Sequence, residues 1–138
     1  MQDFKRWAEW QRSHALALRV YRLSERLPPE SDSLACDLCK SAFTIPAKIA
    51  NGCGRGRAAG LVSMLRVALG SARELEYHVL LAKDLGVVSV ADYEESLEEI
   101  SAIKKMLAGH IRRATPRHTN RGYVLRRRTG VWAPRTDN

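Results

Sequence analysis

The sequence predicts an all-α protein, an antiparallel up-down four-helix bundle with a flexible, disordered basic C-terminal tail. Apolar residues recur at spacings of three and four in four long segments, which is the periodicity of amphipathic helices. Proline or glycine separates these segments, and both residues end helices. Aromatic residues make up only 7% of the chain, which favours a core of leucine, alanine and valine over a β-sandwich.

The 138 residues are enough for one domain with a hydrophobic core. We assign residues 1–115 to the four-helix bundle and residues 116–138 to the tail, because the apolar periodicity stops at Thr115-Pro116. No apolar run approaches 18 residues, so we predict no membrane span. The first residues lack the apolar segment of a signal peptide, and the three cysteines argue against a disulfide framework. We therefore expect a cytoplasmic protein.

The first helix is predicted over residues 3–27, because Pro28-Pro29 cannot continue it. The second is predicted over residues 31–51, with Pro46 inside it as a kink and the stretch 52–54 as its end. The predicted apolar face of the first helix comprises Trp7, Trp10, His14, Ala17, Leu18 and Tyr21.

The third helix is predicted over residues 56–85, with Gly86 as its C-terminal cap, and the fourth from Ser89 or Val90 to Ala114. Gly70, in the middle of the third helix, is expected to allow another helix to approach closely. The predicted core residues of these two helices are Leu61, Met64, Leu65, Ala68, Leu75, Val79, Ala82, Tyr93, Leu97, Ile100, Ile103, Met106, Leu107 and Ile111.

The formal net charge is +8 and is unevenly distributed. Residues 1–115 carry 17 Lys/Arg against 14 Asp/Glu, whereas residues 116–138 carry six against one. A basic tail on a nearly balanced body indicates contact with a polyanion, and nucleic acid is the leading candidate. The alternative is that the positive charge only keeps the protein soluble.

Four basic residues, Lys5, Arg12, Arg19 and Arg26, are spaced by seven and so lie along one side of the first helix, with Arg22 at their edge. We predict that this row contacts nucleic-acid phosphates or faces an acidic partner. The alternative is an ordinary solvated face.

Two further segments are candidates for nucleic-acid contact. The turn at residues 52–57 places Arg55 and Arg57, with Lys48 upstream, before the free N–H groups of a helix start, although its simplest role is to join two helices. It lacks the strand and G-K-[ST] ending of a phosphate loop, so we expect no nucleotide hydrolysis. The tail interleaves Tyr123 and Trp132 with arginines that suit phosphates, or it is a solubilising or protein-docking extension. Its arginines are Arg117, Arg121, Arg126, Arg127, Arg128 and Arg135.

No catalytic or metal-binding constellation is apparent. Cys36 and Cys39 form one isolated C-x-x-C, and the histidines show no ligand spacing. His14 and His78 are expected in the core with satisfied hydrogen bonds. Glu74 and Glu76 point to different sides of their helix, so they form no di-iron motif. Glu74 instead suits a basic helix across a subunit interface. We expect no enzyme activity, metal or cofactor.

Two blocks carry a family resemblance: IPAKIANGCGR at residues 45–55 and GSARELEY at residues 70–77. Together they resemble the pattern I-P-x-N-I-A-E-G-x-G-R followed by G-S-x-x-E-L-E of a small four-helix-bundle family. That family includes proteins encoded in intervening sequences of 23S rRNA genes and the accessory variability proteins of diversity-generating retroelements. The resemblance spans about residues 4–114. Lys48 and Asn51 replace the family's usual Asn and Glu, which makes this stretch more positive.

The resemblance implies a function that the residues alone do not. The resemblance implies a ring-like homopentamer, which is the assembly of the family members whose biological system is known. It also implies, for the retroelement branch, binding to a reverse transcriptase and its template RNA without catalysis. Residues 73–86 look like that branch. We therefore expect a nucleic-acid-binding accessory protein that forms a homopentamer and has a reverse transcriptase as its partner. The alternatives are a protein encoded in an rRNA intervening sequence that binds its own RNA, and a protein–protein adaptor using the basic face of the first helix.

Overall fold

The computed structural model describes residues 2–115, 123–125 and 132–134. Short 3-10 turns at Phe4–Arg6 and Pro29–Ser31 precede the first two helices. Strands β1 (Tyr123–Leu125) and β2 (Trp132–Pro134) pair antiparallel, with Val124 opposite Ala133. The helices are α1 (Ala8–Glu25), α2 (Asp32–Cys53), α3 (Ala58–Asp84) and α4 (Val90–Ala114).

The helices form the predicted antiparallel up-down bundle. Each helix contacts the next one along the chain, and α4 returns to contact α1. Consecutive helices run in opposite directions because their connections are short. The order around the bundle therefore places α1 diagonally across from α3, and α2 diagonally across from α4. This arrangement confirms the fold class predicted from the sequence.

The helix ends follow local capping chemistry. The Ser89 hydroxyl accepts a hydrogen bond from the Asp92 N–H at 3.1 Å, which starts α4. Gly86 follows α3 with φ of +76°, the left-handed conformation that glycine adopts readily. The first helix begins later than predicted, because Trp7 is extended (φ −77°, ψ 128°) between the first 3-10 turn and α1. Pro46 lies inside α2 as predicted and is buried.

The core sits between all four helices and consists mainly of aliphatic side chains. Leu38, Ile45 and Ile49 of α2 are fully buried. Leu61, Tyr93 and Ile111 pack against the core while partly buried. The predicted core positions of α3 and α4 that are buried are Leu65, Ala68, Leu75, Val79, Ala82, Ile100, Ile103 and Leu107.

The predicted apolar face of α1 is confirmed only in part. Ala17 is buried, and Trp7 and Trp10 are partly buried against the core. Leu18 is 44% exposed and Tyr21 is 48% exposed. His14, expected in the core, is exposed and stacks on the Trp10 ring at a centroid distance of 4.8 Å. The face that packs between α2 and α4 carries small and aliphatic residues that fit a narrow space, and the aromatic residues lie at its border. The buried residues of α1 are Ser13, Leu16, Ala17, Val20 and Leu23.

The close helix approach predicted at Gly70 is also wrong within this chain. A Cβ atom built on Gly70 meets no atom within 4 Å. The close approach lies at Gly52 instead, where a Cβ atom would come within 3.0 Å of the Met64 Cβ and 3.1 Å of the Leu61 Cδ1. Gly52 therefore sets how closely the end of α2 packs against the start of α3.

The predicted flexibility of residues 116–138 lies outside the described residues, except at β1 and β2, which the sequence did not predict. The described part of the chain has no helix that combines the length and apolarity needed to cross a membrane. The candidate tail residues Arg117, Arg121, Arg126, Arg127, Arg128 and Arg135 also lie outside the described residues.

Candidate nucleic-acid interface

The basic row of α1 faces the acidic first half of α4. The distance from Arg12 Nη2 to Glu99 Oε1 is 3.0 Å. The distance from Arg26 Nη2 to Asp92 Oδ2 is 3.3 Å, at the far end of the row. Between them, Arg19 pairs with Glu95. Three of the predicted phosphate contacts therefore already face carboxylates of their own chain.

These ion pairs balance the charge of the row. The pairs are partly exposed, and such surface pairs contribute at most about 1 kcal/mol each. A phosphate approaching Arg12, Arg19 or Arg26 also approaches the neighbouring carboxylate, which repels it. The acidic partner considered for this row is thus, in the structure, α4 of the same chain.

The unbalanced positive charge lies at one end of the bundle. Antiparallel packing brings together the starts of α1 and α3 and the ends of α2 and α4. Asp3 and Glu9 are the acidic residues near this end, and Glu9 pairs with His110. The opposite end carries Glu25, Glu30, Asp32, Asp84, Asp92, Glu94 and Glu95. We call the first end the basic end, and its cationic residues are Lys5, Arg6, Arg55, Arg57, Arg112 and Arg113.

The cations of the basic end are free to meet an anion. None of the six forms an ion pair with a carboxylate of the described residues. Thr115 follows α4 at this end, and the sequence continues from it with six further arginines. The basic end and the start of the tail therefore adjoin one another.

The turn between α2 and α3 presents two of these cations beside exposed backbone. Arg55 Nε donates a hydrogen bond to Asn51 Oδ1 at 3.0 Å, and its Cβ lies above Gly60. Arg57 occupies the N-cap position of α3 without a side-chain cap. The first N–H groups of α3 therefore have no side-chain cap and follow directly after two arginines in the sequence, an arrangement that attracts anions.

A second basic surface runs along the groove between α3 and α4. We call this surface the α3–α4 groove; its lining includes Arg73, Lys104, Lys105 and Ser101, with Leu69 and Ala108 as an apolar floor. Lys104 Nζ lies 2.7 Å from Glu76 Oε2. Arg73 and Lys105 are exposed and form no ion pair with any described residue.

Residues two turns further along extend this surface towards the basic end. Arg66 precedes Arg73 by seven residues on α3, and Arg112 follows Lys105 by seven on α4, so each pair shares a helix face. Gly109, between Lys105 and Arg112 on α4, is buried beneath the Arg113 guanidinium. A Cβ atom built on Gly109 would lie 3.1 Å from Arg113 Nη1. The groove and the basic end thus form one continuous cationic surface.

Of the other predicted residues, two lie near the basic end and one lies away from both surfaces. Lys5 and Lys48 lie near the basic end, at the start of α1 and the end of α2. Arg22 lies away from it, exposed and without an ion pair among the described residues.

Sequence reasoning missed the α3–α4 groove, although a signal was present. Arg66 and Arg73 repeat at seven, as do Lys105 and Arg112, the same spacing that identified the row on α1. What the sequence could not supply is the carboxylate partner of each row. The acidic half of α4 lies beside α1, whereas its basic half extends beside the start of α3.

Two of the three cysteines, Cys39 and Cys53, make local contacts, and Cys36 is exposed. The Cys39 thiol donates to Ser24 Oγ at 3.2 Å, and the Cys53 thiol donates to the Gln2 carbonyl at 3.3 Å. Burial raises the pKa of the Cys53 thiol, as does the charge of Asp3. No cluster of three or more potential metal ligands occurs in residues 2–115 or the described strands.

Histidine and aromatic side chains also make local contacts. Ser41 Oγ lies 3.1 Å from His78 Nδ1, so His78 has the expected hydrogen-bond partner, but its side chain is half-buried rather than in the core. Glu25, through hydrogen bonding and then through its charge, raises the pKa of the exposed Tyr21 phenol. Trp7 packs against the His110 ring at a centroid distance of 4.9 Å.

Comparisons with known proteins agree with this architecture. The crystal structure of a protein of unknown function from the S23 ribosomal protein family of Bacteroides thetaiotaomicron superposes with a TM-score of 0.72. It is 24% identical, and the match covers 75% of this chain and 98% of that one, which supports the shared fold. No curated protein matches the sequence.

The family model described as 23S rRNA-intervening sequence protein matches residues 5–109, which includes all of the first three helices and most of α4. Both blocks singled out in the sequence, at residues 45–55 and 70–77, fall within this match. The chain belongs to the 23S rRNA-intervening sequence protein family.

Proposed function

We propose that the protein is a non-catalytic scaffold that binds nucleic acid through the basic end and the α3–α4 groove. The observation that carries this proposal is the contrast between two basic surfaces. On α1, Arg12, Arg19 and Arg26 meet carboxylates of α4. At the basic end, Arg55, Arg57, Arg112 and Arg113 meet none among the described residues. Unmatched cations are the ones that release counterions from a phosphate backbone.

The proposed contacts predict binding without sequence preference. Phosphate contacts position a protein on nucleic acid but carry no base information. The surface joins Lys48, Arg55 and Arg57 to Arg73, Lys105 and Arg112 and then to the tail arginines. Affinity therefore falls steeply as salt rises, and substitutions in this surface weaken binding to all sequences alike.

We further propose that the protein acts as a homopentameric partner of a diversity-generating-retroelement reverse transcriptase and its template RNA. Family membership and the resemblance of residues 73–86 to that branch support this proposal. Five copies repeat the basic end five times, and multivalency converts weak individual contacts into useful affinity. In this role the reverse transcriptase catalyses DNA synthesis, and this chain binds the nucleic acid.

The role proposed for this chain is binding rather than catalysis. Glu76, one of the two neighbouring carboxylates on α3, is occupied by Lys104 at 2.7 Å. Glu74 faces outwards from a different side of the helix. The two carboxylates are therefore separated, as their spacing predicts, and do not form a shared site.

The second candidate is a protein encoded in an rRNA intervening sequence that binds its own RNA, and family membership favours it directly. Its RNA would occupy the same basic end. The adaptor that uses the basic face of α1 is disfavoured, because α4 already covers three of its arginines. A reverse-transcriptase gene beside the coding sequence, or a 23S rRNA gene around it, distinguishes the first two candidates.

Two triple variants with equal loss of charge test the proposed surface. Arg73→Ala, Lys105→Ala and Arg112→Ala remove three cations without described partners, whereas Arg12→Ala, Arg19→Ala and Arg26→Ala remove three paired ones. We expect the first variant to reduce the salt slope of RNA binding by about two to three units and the second by less than one, because each phosphate that is no longer neutralised removes about 0.7–0.9. Equal effects, or the reverse order, would contradict the proposed location.

The reverse-transcriptase role has its own test. Purified protein is mixed with a diversity-generating-retroelement reverse transcriptase, with and without template RNA, and recovered by affinity capture. Capture of the enzyme in the presence of nuclease supports a protein–protein contact. Failure to capture it, with RNA binding intact, would contradict this role and leave the nucleic-acid surface standing.

A further inference from the structure

A cavity lies beside the turn between α2 and α3, at the basic end. Its volume of about 460 Å³ falls within the range of about 300–1,000 Å³ that small-molecule sites have. We call it the turn cavity, and its lining includes Trp7, Cys53, Arg55, Arg57, Ala58 and Leu61. The lining therefore combines an aromatic ring and apolar side chains with two cations.

Trp7 supplies the aromatic part of the lining. Its backbone is extended between the first 3-10 turn and α1, so the residue lies outside the helix. The indole is partly buried against the core, and its ring centroid lies 4.9 Å from that of His110. The Cys53 thiol donates to the Gln2 carbonyl at 3.3 Å and so joins the start of the chain to the end of α2. The indole is thus held beside the turn, where it offers a flat apolar surface.

Arg55 is a cation held in place by neutral groups. Its Nε donates a hydrogen bond to Asn51 Oδ1 at 3.0 Å, and its Nη2 lies 4.0 Å from the Met64 sulfur. A Cβ atom built on Gly60 would come within 3.1 Å of the Arg55 Cβ, so the glycine lets this side chain lie against α3. No carboxylate of the described residues pairs with Arg55. The guanidinium is therefore positioned without being neutralised, which suits it to bind a phosphate.

The acidic residues near the turn cavity are engaged in other contacts. Asp3 accepts a hydrogen bond from a backbone N–H of the first 3-10 turn at 3.1 Å. Burial and then the charge of Asp3 raise the pKa of the Cys53 thiol, so this carboxylate is close to the cavity. Glu9 pairs with His110. Neither carboxylate lines the cavity, whereas two arginines do, so an entering anion meets mainly positive charge.

We propose that the turn cavity binds one unpaired nucleotide, with its base against Trp7 and its phosphate at Arg55 and Arg57. A nucleotide joins a flat ring to an anionic group, which is the combination that the lining complements. An inorganic phosphate would leave the indole unused, and an aliphatic ligand would leave both cations unused. Every base has a π-face, so stacking on the indole tolerates any sequence. The nucleotide is either a free nucleoside monophosphate or part of an RNA strand.

The RNA source rests on the proposed function, because RNA bound at the basic end would present its nucleotides to the cavity. A base in a duplex is paired and stacked, so it can enter a cavity of this size only by leaving the stack, which costs free energy. Single-stranded RNA is therefore bound more tightly than a duplex of the same sequence. Phosphate contacts alone would not give this preference.

Cys53 reports whether the cavity is occupied, because it belongs to the lining. In the full-length protein with Cys36→Ser and Cys39→Ser, iodoacetamide alkylates Cys53 alone. We expect AMP at about ten times its dissociation constant to slow this alkylation about tenfold, by mass action. Adenosine and ribose 5-phosphate each keep only one of the two recognised groups, so we expect both to bind more weakly than AMP.

Two variants separate the base contact from the phosphate contact. Trp7→Leu is expected to raise the dissociation constants of AMP and adenosine about tenfold and to leave that of ribose 5-phosphate nearly unchanged. Asn51→Glu places a carboxylate where the Arg55 Nε now meets a neutral amide. It is expected to raise the dissociation constants of AMP and ribose 5-phosphate about tenfold, but not that of adenosine.

Ala47→Glu is the matched control for Asn51→Glu. Ala47 is exposed one turn earlier on α2 and does not line the cavity, so the variant adds the same charge outside the site. We expect it to leave the binding of all three ligands nearly unchanged. If Trp7→Leu and Asn51→Glu are both folded by circular dichroism and weaken the three ligands equally, or weaken none, the assigned contacts are wrong.

RNA distinguishes the two sources of the nucleotide and separates this inference from the proposed function. A short single-stranded RNA is expected to slow alkylation of Cys53, and the same sequence in a duplex is expected to slow it less. Slowing by AMP but not by bound RNA would identify a free nucleotide as the occupant. RNA that binds without slowing alkylation, together with no effect of AMP, would overturn the inference and leave the phosphate contacts of the basic end standing. Slowing by AMP in a protein that binds no RNA would contradict the proposed function and leave the nucleotide site in place.

Discussion

Arg12 and Glu99 are 87 positions apart in the sequence, yet Arg12 Nη2 lies 3.0 Å from Glu99 Oε1. This contact joins the first helix to the last and is repeated by Arg19 with Glu95 and by Arg26 with Asp92. The basic row of α1, which the sequence predicted to contact phosphates, thus forms a line of ion pairs with α4. We call this line the seam. The positive charge available to a ligand lies elsewhere, at the basic end.

The seam is expected to contribute little to stability. A double-mutant cycle with Arg12→Ala and Glu99→Ala should give a coupling free energy of about 0.2–1 kcal/mol, the usual range for exposed ion pairs. Salt at about 1 M should reduce this coupling, because it shortens the screening length to about 3 Å. Equilibrium urea unfolding of the four proteins measures the coupling. A value that does not change with salt would show that the two side chains interact through packing rather than charge.

The fold was largely predictable from the sequence, because helix periodicity and capping residues act locally. Ser89 marks a helix start through its side-chain hydroxyl, and Gly86 and the stretch 52–54 mark helix ends through their backbone conformation. The buried face of α1 was not predictable in this way. Trp10 and Tyr21 dominate the apolar pattern, and the face drawn through them leaves out Ser13, Leu16 and Val20, which are buried.

The candidate site was only partly predictable, because a charge is available only if no neighbour neutralises it. The spacing of Arg12, Arg19 and Arg26 was visible, but their partners lie between 66 and 87 residues further along the chain. The same limitation hid the groove formed by Arg73 and Lys105, which exists only once α3 and α4 are packed side by side.

The tail is expected to contribute most of the salt-dependent affinity for nucleic acid. A variant that removes five tail charges tests this expectation. It carries Arg117→Gln, Arg121→Gln, Arg126→Gln, Arg127→Gln and Arg128→Gln in the full-length chain. Its slope of log K against log salt should be shallower by about 0.7 for each single-strand phosphate that the variant no longer neutralises. Fluorescence anisotropy with labelled RNA at several salt concentrations measures the slope. An unchanged slope would refute the role assigned to the tail.

Replacing Ser96 with alanine is expected to stabilise the bundle. The Ser96 hydroxyl is buried and has no hydrogen-bond partner among the described residues. Removing an unsatisfied buried hydroxyl should raise the free energy of unfolding by about 1 kcal/mol, measured by chemical denaturation.

Ser41→Ala is the matched control for Ser96→Ala. The Ser41 hydroxyl donates to the Asp37 carbonyl at 2.8 Å and lies 3.1 Å from His78 Nδ1. Its loss should lower the free energy of unfolding by about 1 kcal/mol. If Ser96→Ala destabilises the protein as much as Ser41→Ala, then Ser96 has a hydrogen-bond partner in solution.

Cys53 is expected to react slowly with thiol reagents at neutral pH. Burial raises the pKa of its thiol, so the reactive thiolate is scarcer than for an ordinary cysteine at the same pH. A chain with Cys36→Ser and Cys39→Ser isolates Cys53 for alkylation with iodoacetamide. Its rate should rise with pH over a range above that of a model thiol such as glutathione. A profile at or below that of the model thiol would contradict the assigned environment.

The central claim is that this bundle is a nucleic-acid-binding scaffold whose unmatched charge lies at the basic end. The most direct measurement is binding of RNA and single-stranded DNA to the full-length protein over a series of salt concentrations, with its mass in solution recorded alongside. We predict an oligomer that binds both, with log K falling linearly with log salt and with little sequence preference. No binding at low salt would contradict the claim.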